Sequence, residues 1–109
     1  MPASVPIAVL FGRRLRAARK AAGLSQVELG ALLGMADKNA SPRVSRYERG
    51  EREPDGETLQ ELSKALGVPP AYFLASSDDL AEGILLIARQ PESKQKKLLA
   101  ILREHLEGQ

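Results

Sequence analysis

Two short stretches decide the fold: Ser25-Gln-Val-Glu28 and Ser41-Pro-Arg-Val-Ser-Arg-Tyr-Glu-Arg-Gly50. In the first, we expect the serine oxygen to accept a hydrogen bond from the amide three residues on, while the glutamate reaches back, which is a capping box. In the second, the serine is the expected N-cap, the proline takes the first helical position and the glycine ends the helix. Together they predict two consecutive short helices.

The second of these helices has an apolar side and a basic side. Val44 and Tyr47 lie three residues apart and form the predicted buried stripe. Three arginines recur at the same interval elsewhere on the helix, namely Arg43, Arg46 and Arg49. The preceding segment, Met35 to Ala40, is polar and predicts a loop.

Working outward, helical patterns fill the rest of the chain and no strand is predicted. A helix over residues 7–22 buries a stripe of apolar side chains and stops at Gly23. A fourth helix follows the cap Asp55, and a short fifth helix enters through proline, with Phe73 and Leu74 expected to close the core. We therefore predict an all-α fold, with five helices over residues 7–75.

The remaining residues, 76–109, predict a separate C-terminal pair of helices. The run Ser76-Ser-Asp-Asp79 has the cap and the first-turn acids of a helix start, and Pro91 interrupts the helix that follows. A final helix begins at about Glu92 or Ser93.

Composition excludes most chemistry. The chain of 109 residues has no cysteine and one histidine, His105, so disulfides, thiol catalysis and His-rich or thiolate metal sites are not expected. We find no nucleophile–base pair and no glycine loop that would cradle a phosphate. The sequence predicts no enzyme, no catalytic residue, no metal and no cofactor.

Charge is unevenly distributed along the chain. Up to Gly50 there are nine Lys and Arg against three acids, and beyond it seven against eleven, so that +6 is followed by −4. A basic half is typical of a face that binds a polyanion, although a solvated helix surface has the same composition. Four aromatic residues are too few for a base-stacking platform, so a nucleic-acid role would use a duplex groove.

The pattern of the first residues predicts no targeting segment. The N-terminal apolar run is short, contains Pro6 and precedes its positive charges, which is not the pattern of a secretory signal. No stretch approaches the roughly 18 apolar residues that span a bilayer. We expect a cytoplasmic protein with no membrane partner.

Several motifs, taken in order, resemble the Cro and phage-repressor helix-turn-helix family, often called XRE. They cover about residues 8–75 and are Gly12-Arg-Arg-Leu-Arg-Ala-Ala-Arg19, Gly23-Leu-Ser-Gln-Val-Glu-Leu29, Leu33-Gly34, Val44-Ser-Arg-Tyr-Glu-Arg-Gly50, Pro54 and Leu62-Ser-Lys-Ala-Leu-Gly-Val68. The resemblance implies a lambda-repressor-like domain that binds double-stranded DNA and places its third helix in the major groove.

The resemblance also implies roles for individual residues. Gln26 matches a phosphate-binding position, or else is an exposed first-turn residue. Arg46 matches a base-reading position, where it would fork onto guanine O6 and N7, or else contacts the backbone. Base contacts are expected from Ser41, Pro42, Arg43 and Arg46, and backbone contacts from Gln26, Arg49 and Arg52. Arg19 and Glu48 match a partly buried pair that ties the first helix to the third.

The chain departs from the family pattern at two places. Gly30 stands where alanine is usual, which permits a close helix approach at the expense of rigidity. The segment Gly34 to Ser41 is about four residues longer than the tight turn typical of the motif, which puts the tilt of the third helix in doubt. Lys38 and Asn39 there would either add DNA contacts or lie on a plain surface loop.

The C-terminal helices carry apolar surface that the domain does not use. The run Ile84-Leu-Leu-Ile-Ala88 is apolar on every side of its helix. We expect a homodimer interface formed by Ile84, Leu85, Ile87, Leu98 and Leu102, because a twofold pair about 34 Å apart reads a palindromic operator. The alternatives are a helical hairpin folded onto its own domain, and an antitoxin-like regulator whose C-terminal helices bind a protein partner.

Overall fold

The structure, a computed structural model, describes residues 5–35 and 37–108, with side chains for all of these except 37–39. Six α-helices and one 3-10 helix make up this part of the chain, and it has no strand. The elements are α1 (Ile7–Ala21), α2 (Gln26–Leu32), α3 (Asp37–Glu48), α4 (Gly56–Leu66), the 3-10 helix (Pro70–Leu74), α5 (Asp78–Ala88) and α6 (Glu92–Glu107). The prediction of an all-α fold is confirmed.

Local sequence signals set most helix starts. Ser25 Oγ accepts a hydrogen bond from the Glu28 amide at 3.0 Å, and the Ser25 amide donates to Glu28 Oε1 at 2.9 Å, so the predicted capping box is present. Asp55 Oδ1 accepts from the Thr58 amide at 2.7 Å. These bonds to the charged form lower the pKa of Glu28 and that of Asp55.

Glycines end two helices as predicted. Gly23 and Gly50 follow α1 and α3 with φ of +73° and +74°. This left-handed conformation is costly for a side chain with a Cβ atom, so glycine marks the end of each helix.

The predicted start of the third helix is wrong. Instead of beginning at Pro42 with Ser41 as its N-cap, α3 begins at Asp37 and contains Pro42. Proline has a helical φ, but inside a helix it loses its amide hydrogen bond and crowds the carbonyl one turn earlier. The extra turn is nevertheless packed against α2, where Ala40 is completely buried against Gly30. The residues of the predicted loop therefore lengthen α3 and do not separate it further from α2.

The core lies where α1, α2, α3, α4 and the 3-10 helix meet. Its largest fully buried side chains are Phe11, Leu15, Leu29, Val44, Tyr47, Leu62 and Phe73. The rings of Phe11 and Tyr47 are edge to face with centroids 5.9 Å apart, and Phe11 and Phe73 lie at 5.3 Å. The predicted stripe of Val44 and Tyr47 is thus buried.

The short fifth helix is a 3-10 helix, and the prediction that both Phe73 and Leu74 close the core is wrong for Leu74. Phe73 is buried as predicted, but Leu74 is 48% exposed and Tyr72 is buried instead. With three residues per turn, Ala71 and Leu74 lie on the same outer side while the two aromatics point inward. Burial raises the pKa of Tyr72.

The core continues into α5 and stops there. Ala75 and Ala81 are buried, and Ile84 and Leu85 are half-buried against the same cluster. In contrast, α6 has no buried residue. Among the described residues, none of the helices is long and apolar enough to cross a membrane.

Candidate nucleic-acid interface

The outer side of α3 presents a basic stripe. Pro42, Arg46 and Arg49 are exposed at positions i, i+4 and i+7, which lie on one face of a helix. Val44 and Tyr47 fix this orientation, because their burial turns the opposite face into the core. The part of α3 that projects into solvent is therefore cationic.

Arg43 and Arg52 lie next to Arg46 of this stripe. An open concavity of about 270 Å³ is lined by Pro42, Arg43, Arg46 and Arg52. The guanidinium carbon of Arg43 lies 6.0 Å from the centre of the Tyr47 ring, and Arg43 Nε donates to Tyr47 Oη at 3.4 Å. These contacts place Arg43 beside Tyr47, and the positive charges around the concavity suit it to an anionic group such as a phosphate.

A carboxylate borders the arginines. The pKa of Asp55 is lowered first by its hydrogen bond with Thr58 and then, to a lesser degree, by the positive charges of Arg43 and Arg52. The cap of α4 therefore lies within electrostatic reach of two of these arginines.

A chain of side-chain hydrogen bonds lies behind α3. Arg19 Nε donates to Glu48 Oε2 at 2.6 Å and Arg19 Nη2 donates to Oε1 at 3.0 Å, in side chains only 12% and 5% exposed. Gln26 Nε2 donates to Glu48 Oε1 at 3.2 Å, and Ser41 Oγ donates to Gln26 Oε1 at 3.0 Å. The bond to Glu48 raises the pKa of Arg19. The chain links α1, α2 and α3 into one unit.

This network bears on two residues expected to contact DNA. The hydroxyl of Ser41 is engaged with Gln26 and caps no helix, and the Gln26 amide is bonded at both its oxygen and its nitrogen. One N–H of that amide is left to reach outward. Both side chains are held rigidly at the base of the basic stripe.

The two arginines predicted to contact the DNA backbone, Arg49 and Arg52, lie in different surroundings. Arg49 forms an ion pair with Glu51 at 2.6 Å, with side chains 61% and 53% exposed, so solvent and phosphate can compete for it. Arg52, expected at the backbone, lines the concavity with Arg43 and Arg46. The side chains of Lys38 and Asn39 lie outside the described residues.

Sequence reasoning missed Arg14. Although charged, Arg14 is buried, its Nε and Nη2 both donate to the Ala75 carbonyl oxygen at 3.2 and 3.1 Å, and its Nη1 donates to Asp78 Oδ1 at 2.6 Å. A signal was available, because Arg14 lies three residues after Phe11 and four before Ala18 and so shares their buried face. An arginine on the apolar face of a helix calls for a buried acceptor.

The residues predicted for a dimer interface divide into two groups. Ile84 and Leu85 pack half-buried against the chain's own core. Ile87, Leu98 and Leu102 line an apolar groove of about 420 Å³ between α5 and α6. The described residues include no group of acids or histidine that could hold a metal ion.

Comparisons with known proteins identify the kind of domain that carries this surface. A helix-turn-helix family model matches residues 15–73. Repressor protein C2 of Salmonella phage P22 is 43% identical over 65 residues, which is 60% of this chain and 28% of that protein. The HTH-type transcriptional regulator ImmR of Bacillus subtilis (strain 168) is 37% identical over 68 residues, which is 62% of this chain and 50% of that protein. The chain thus spans half or less of the length of these two relatives.

A solved structure matches over nearly the whole chain. The crystal structure of transcriptional regulator BswR superposes with a TM-score of 0.82 at 40% identity, covering 90% of this chain and 97% of that one. The relatives are named as regulators, in agreement with the prediction that the protein is not an enzyme. The chain belongs to the XRE-type helix-turn-helix family of DNA-binding transcriptional regulators.

Proposed function

We propose that this protein is a dimeric repressor that reads a palindromic operator through the major groove of double-stranded DNA. The observation that carries the proposal is the convergence of Arg43, Arg46 and Arg52 beside the exposed face of α3. Repression is the simplest mode, since a protein seated on a promoter excludes other proteins from it, and the phage P22 relative is named a repressor.

Within the groove, exposed α3 residues read bases. Arg46 lies in the middle of the exposed stripe and would donate two hydrogen bonds to guanine O6 and N7. Pro42, one turn earlier, offers apolar contact to a thymine methyl group. Arg43, braced on Tyr47, reaches a base edge or the adjacent phosphate, and Ser41 contacts a base while bonded to Gln26.

Backbone contacts flank this stripe. Arg52 faces the concavity from the loop after α3. Arg49 leaves its ion pair with Glu51 and binds a phosphate instead. On the other side, the free N–H of Gln26 binds a phosphate. Such contacts fix the register of α3 on the duplex without reading sequence.

A second copy of the chain covers the groove between α5 and α6. The groove is almost wholly apolar, and Leu99, Ile101, Leu102 and Leu106 of α6 are all exposed in the single chain. Burying such a surface stabilises an assembly. Two α3 helices spaced about one turn of DNA, near 34 Å, would then read the two halves of a palindrome.

The same groove also fits the alternative of an antitoxin-like regulator that binds a protein partner through its C-terminal helices. The two candidates differ in the mass and composition of the purified assembly. A stable complex with a second, different small protein, in place of a homodimer, would favour the alternative.

The test is a fluorescence-anisotropy titration on duplexes from upstream of the protein's own gene, with an unrelated duplex as competitor and at several salt concentrations. We expect tight binding to one duplex, and Arg46→Ala to lose about 1 to 3 kcal/mol on that duplex alone. The matched control is Arg16→Ala, which removes the same charge from an exposed position on α1.

Two results would overturn the proposal. Equal affinity of the wild type for every duplex would reduce the basic surface to nonspecific electrostatics. If Arg46→Ala and Arg16→Ala lose equal affinity on all duplexes, Arg46 does not read a base.

A further inference from the structure

We propose that Arg14 sets the distance between the two operator half-sites that the protein accepts, by fixing the angle between α5 and the DNA-binding helices. The inference rests on the proposed dimeric function. Its basis is the Arg14 clasp, the set of hydrogen bonds from Arg14 to the Ala75 carbonyl and the Asp78 carboxylate.

The first half of the argument concerns α1, which carries Arg14. Gly12 of α1 lies so close to α3 that a Cβ atom there would be 2.5 Å from the Tyr47 carbonyl oxygen and 2.7 Å from that of Glu48. The ion pair of Arg19 with Glu48 joins the same two helices again. Since α1 and α3 are packed this tightly, whatever is fixed to Arg14 is also fixed to α3.

The second half concerns the joint between the 3-10 helix and α5. Ala75 has an extended backbone, with φ −65° and ψ 128°, and α5 starts three residues later at Asp78. Rotation within this joint would swing α5. Arg14 bonds to the carbonyl on one side of the joint and to the carboxylate on the other, so it bridges the point of rotation.

Only an arginine can make this bridge with one side chain. Its planar guanidinium presents five donors in a fixed fork, whereas a lysine offers a point charge on a flexible stem. Arg14 uses Nε and Nη2 on one acceptor and Nη1 on the other, so three of its donors fix direction as well as distance.

The far end of α5 carries the groove that a second copy would cover. At 1.5 Å per residue, the eleven residues of α5 extend about 16 Å from the clasp. A rotation of about 15° at the joint would displace that end by about 4 Å, close to one base-pair step. A dimer held by α5 and α6 therefore converts the angle at Arg14 into the separation of the two α3 helices.

Two variants weaken the clasp in different ways. Asp78→Asn removes the charge of the Arg14 partner from a side chain that is 97% exposed and keeps that side chain nearly the same size. Its matched control is Asp79→Asn, which makes the same change on the next residue of the same helix turn, where no bond to Arg14 exists. Arg14→Lys keeps the positive charge and loses the fork to Ala75.

The experiment uses palindromic duplexes with both half-sites intact and the spacer shortened or lengthened by one or two base pairs, in fluorescence anisotropy at one salt concentration. We expect the wild type and Asp79→Asn to lose about tenfold in affinity for each base pair added or removed. For Arg14→Lys and Asp78→Asn we expect this penalty to fall below about threefold. Binding to an isolated half-site and the mass of the assembly should match the wild type.

The outcomes separate the clasp from the proposed function. If the wild type prefers full sites and both clasp variants keep its spacer profile, the clasp is overturned while the dimer stands. If the variants lose half-site binding and full-site binding equally, Arg14 is a folding residue and the clasp is overturned. A wild type that binds half-sites and full sites equally overturns the dimeric function and the clasp with it.

Discussion

Gly30 of α2 and Ala40 of α3 approach so closely that a Cβ atom on Gly30 would lie 2.7 Å from the Ala40 Cα. Ala40 is itself wholly buried. The glycine that departs from the usual alanine of the family therefore stands opposite a residue in the added turn of α3, and the two helices meet there backbone to backbone.

We expect Gly30→Ala to destabilise the fold by about 2 kcal/mol, because the added methyl group must displace backbone atoms of α3. An alanine in an unhindered helix would stabilise by up to about 1 kcal/mol. The control is Gly56→Ala in the first turn of α4, where a Cβ would meet nothing within 4 Å. Urea unfolding measures both variants, and a Gly30→Ala protein as stable as Gly56→Ala would contradict the close contact.

Glu48→Ala should destabilise the protein by about 3 kcal/mol, because it leaves the guanidinium of Arg19 buried without its partner. The matched control is Glu51→Ala, which removes an equal charge from the exposed pair with Arg49 and should change stability by less than about 1 kcal/mol. Thermal unfolding by circular dichroism compares them. A Glu48→Ala melting temperature equal to that of the wild type would show that the pair contributes nothing to the fold.

Leu102→Lys should convert the protein to a monomer, because it places a charge in the apolar groove that a second copy would cover. Ala100→Lys is the control, since this exposed residue lies two positions away on the other side of α6. Analytical ultracentrifugation gives the mass of each variant. Dissociation by Ala100→Lys alone would place the interface on the opposite side of the helix, and monomeric wild type would exclude the dimer.

Asp55 should make stability depend on pH in the acid range. Because its pKa is lowered in the folded state, its contribution is present above its ordinary pKa of about 4 and is lost as the pH falls through the lowered value. Asn caps a helix about as well as Asp but does not titrate. We therefore expect Asp55→Asn to match the wild-type melting temperature at neutral pH and to fall less steeply between about pH 5 and about pH 3.

The control for this profile is Glu57→Gln, an equal loss of charge in the first turn of α4. At neutral pH this variant separates the effect of removing a charge from the first turn of α4 from the effect of changing its N-cap. Parallel curves for the wild type and Asp55→Asn would show that the lowered pKa of Asp55 has no consequence for stability.

Helix ends were largely predictable from sequence, because their signals are local. The serine of Ser25-Gln-Val-Glu28 and the carboxylate of Asp55 bond to amides three residues away, so the residues that decide the structure are neighbours in the chain. The same is true of Gly23 and Gly50, whose conformation depends on their own missing Cβ atom.

The start of α3 and the role of Arg14 were harder to predict because each depends on a distant partner. Ser41 and Pro42 carry the local signature of a helix start, yet the contact of Ala40 with Gly30 extends the helix past them. Arg14 binds a backbone carbonyl 61 residues along the chain. Every residue has such a carbonyl, so the sequence does not indicate which one is the acceptor. The grouping of the arginines of α3 was predictable, because helical periodicity alone puts them on one side of the helix.

If the protein is the proposed dimer, the lack of any buried residue in α6 of the single chain makes the order of this helix depend on the amount of protein present. A helix of sixteen residues that packs against the chain along one side only, as α6 does along α5, gains little stability from packing. In a cell with few copies, α6 of each unpaired chain would fray and each DNA-binding unit would act singly. Since the amount of such a dimer would rise with the square of the free monomer, a modest rise in copy number would order α6 and increase the occupancy of the proposed operator together.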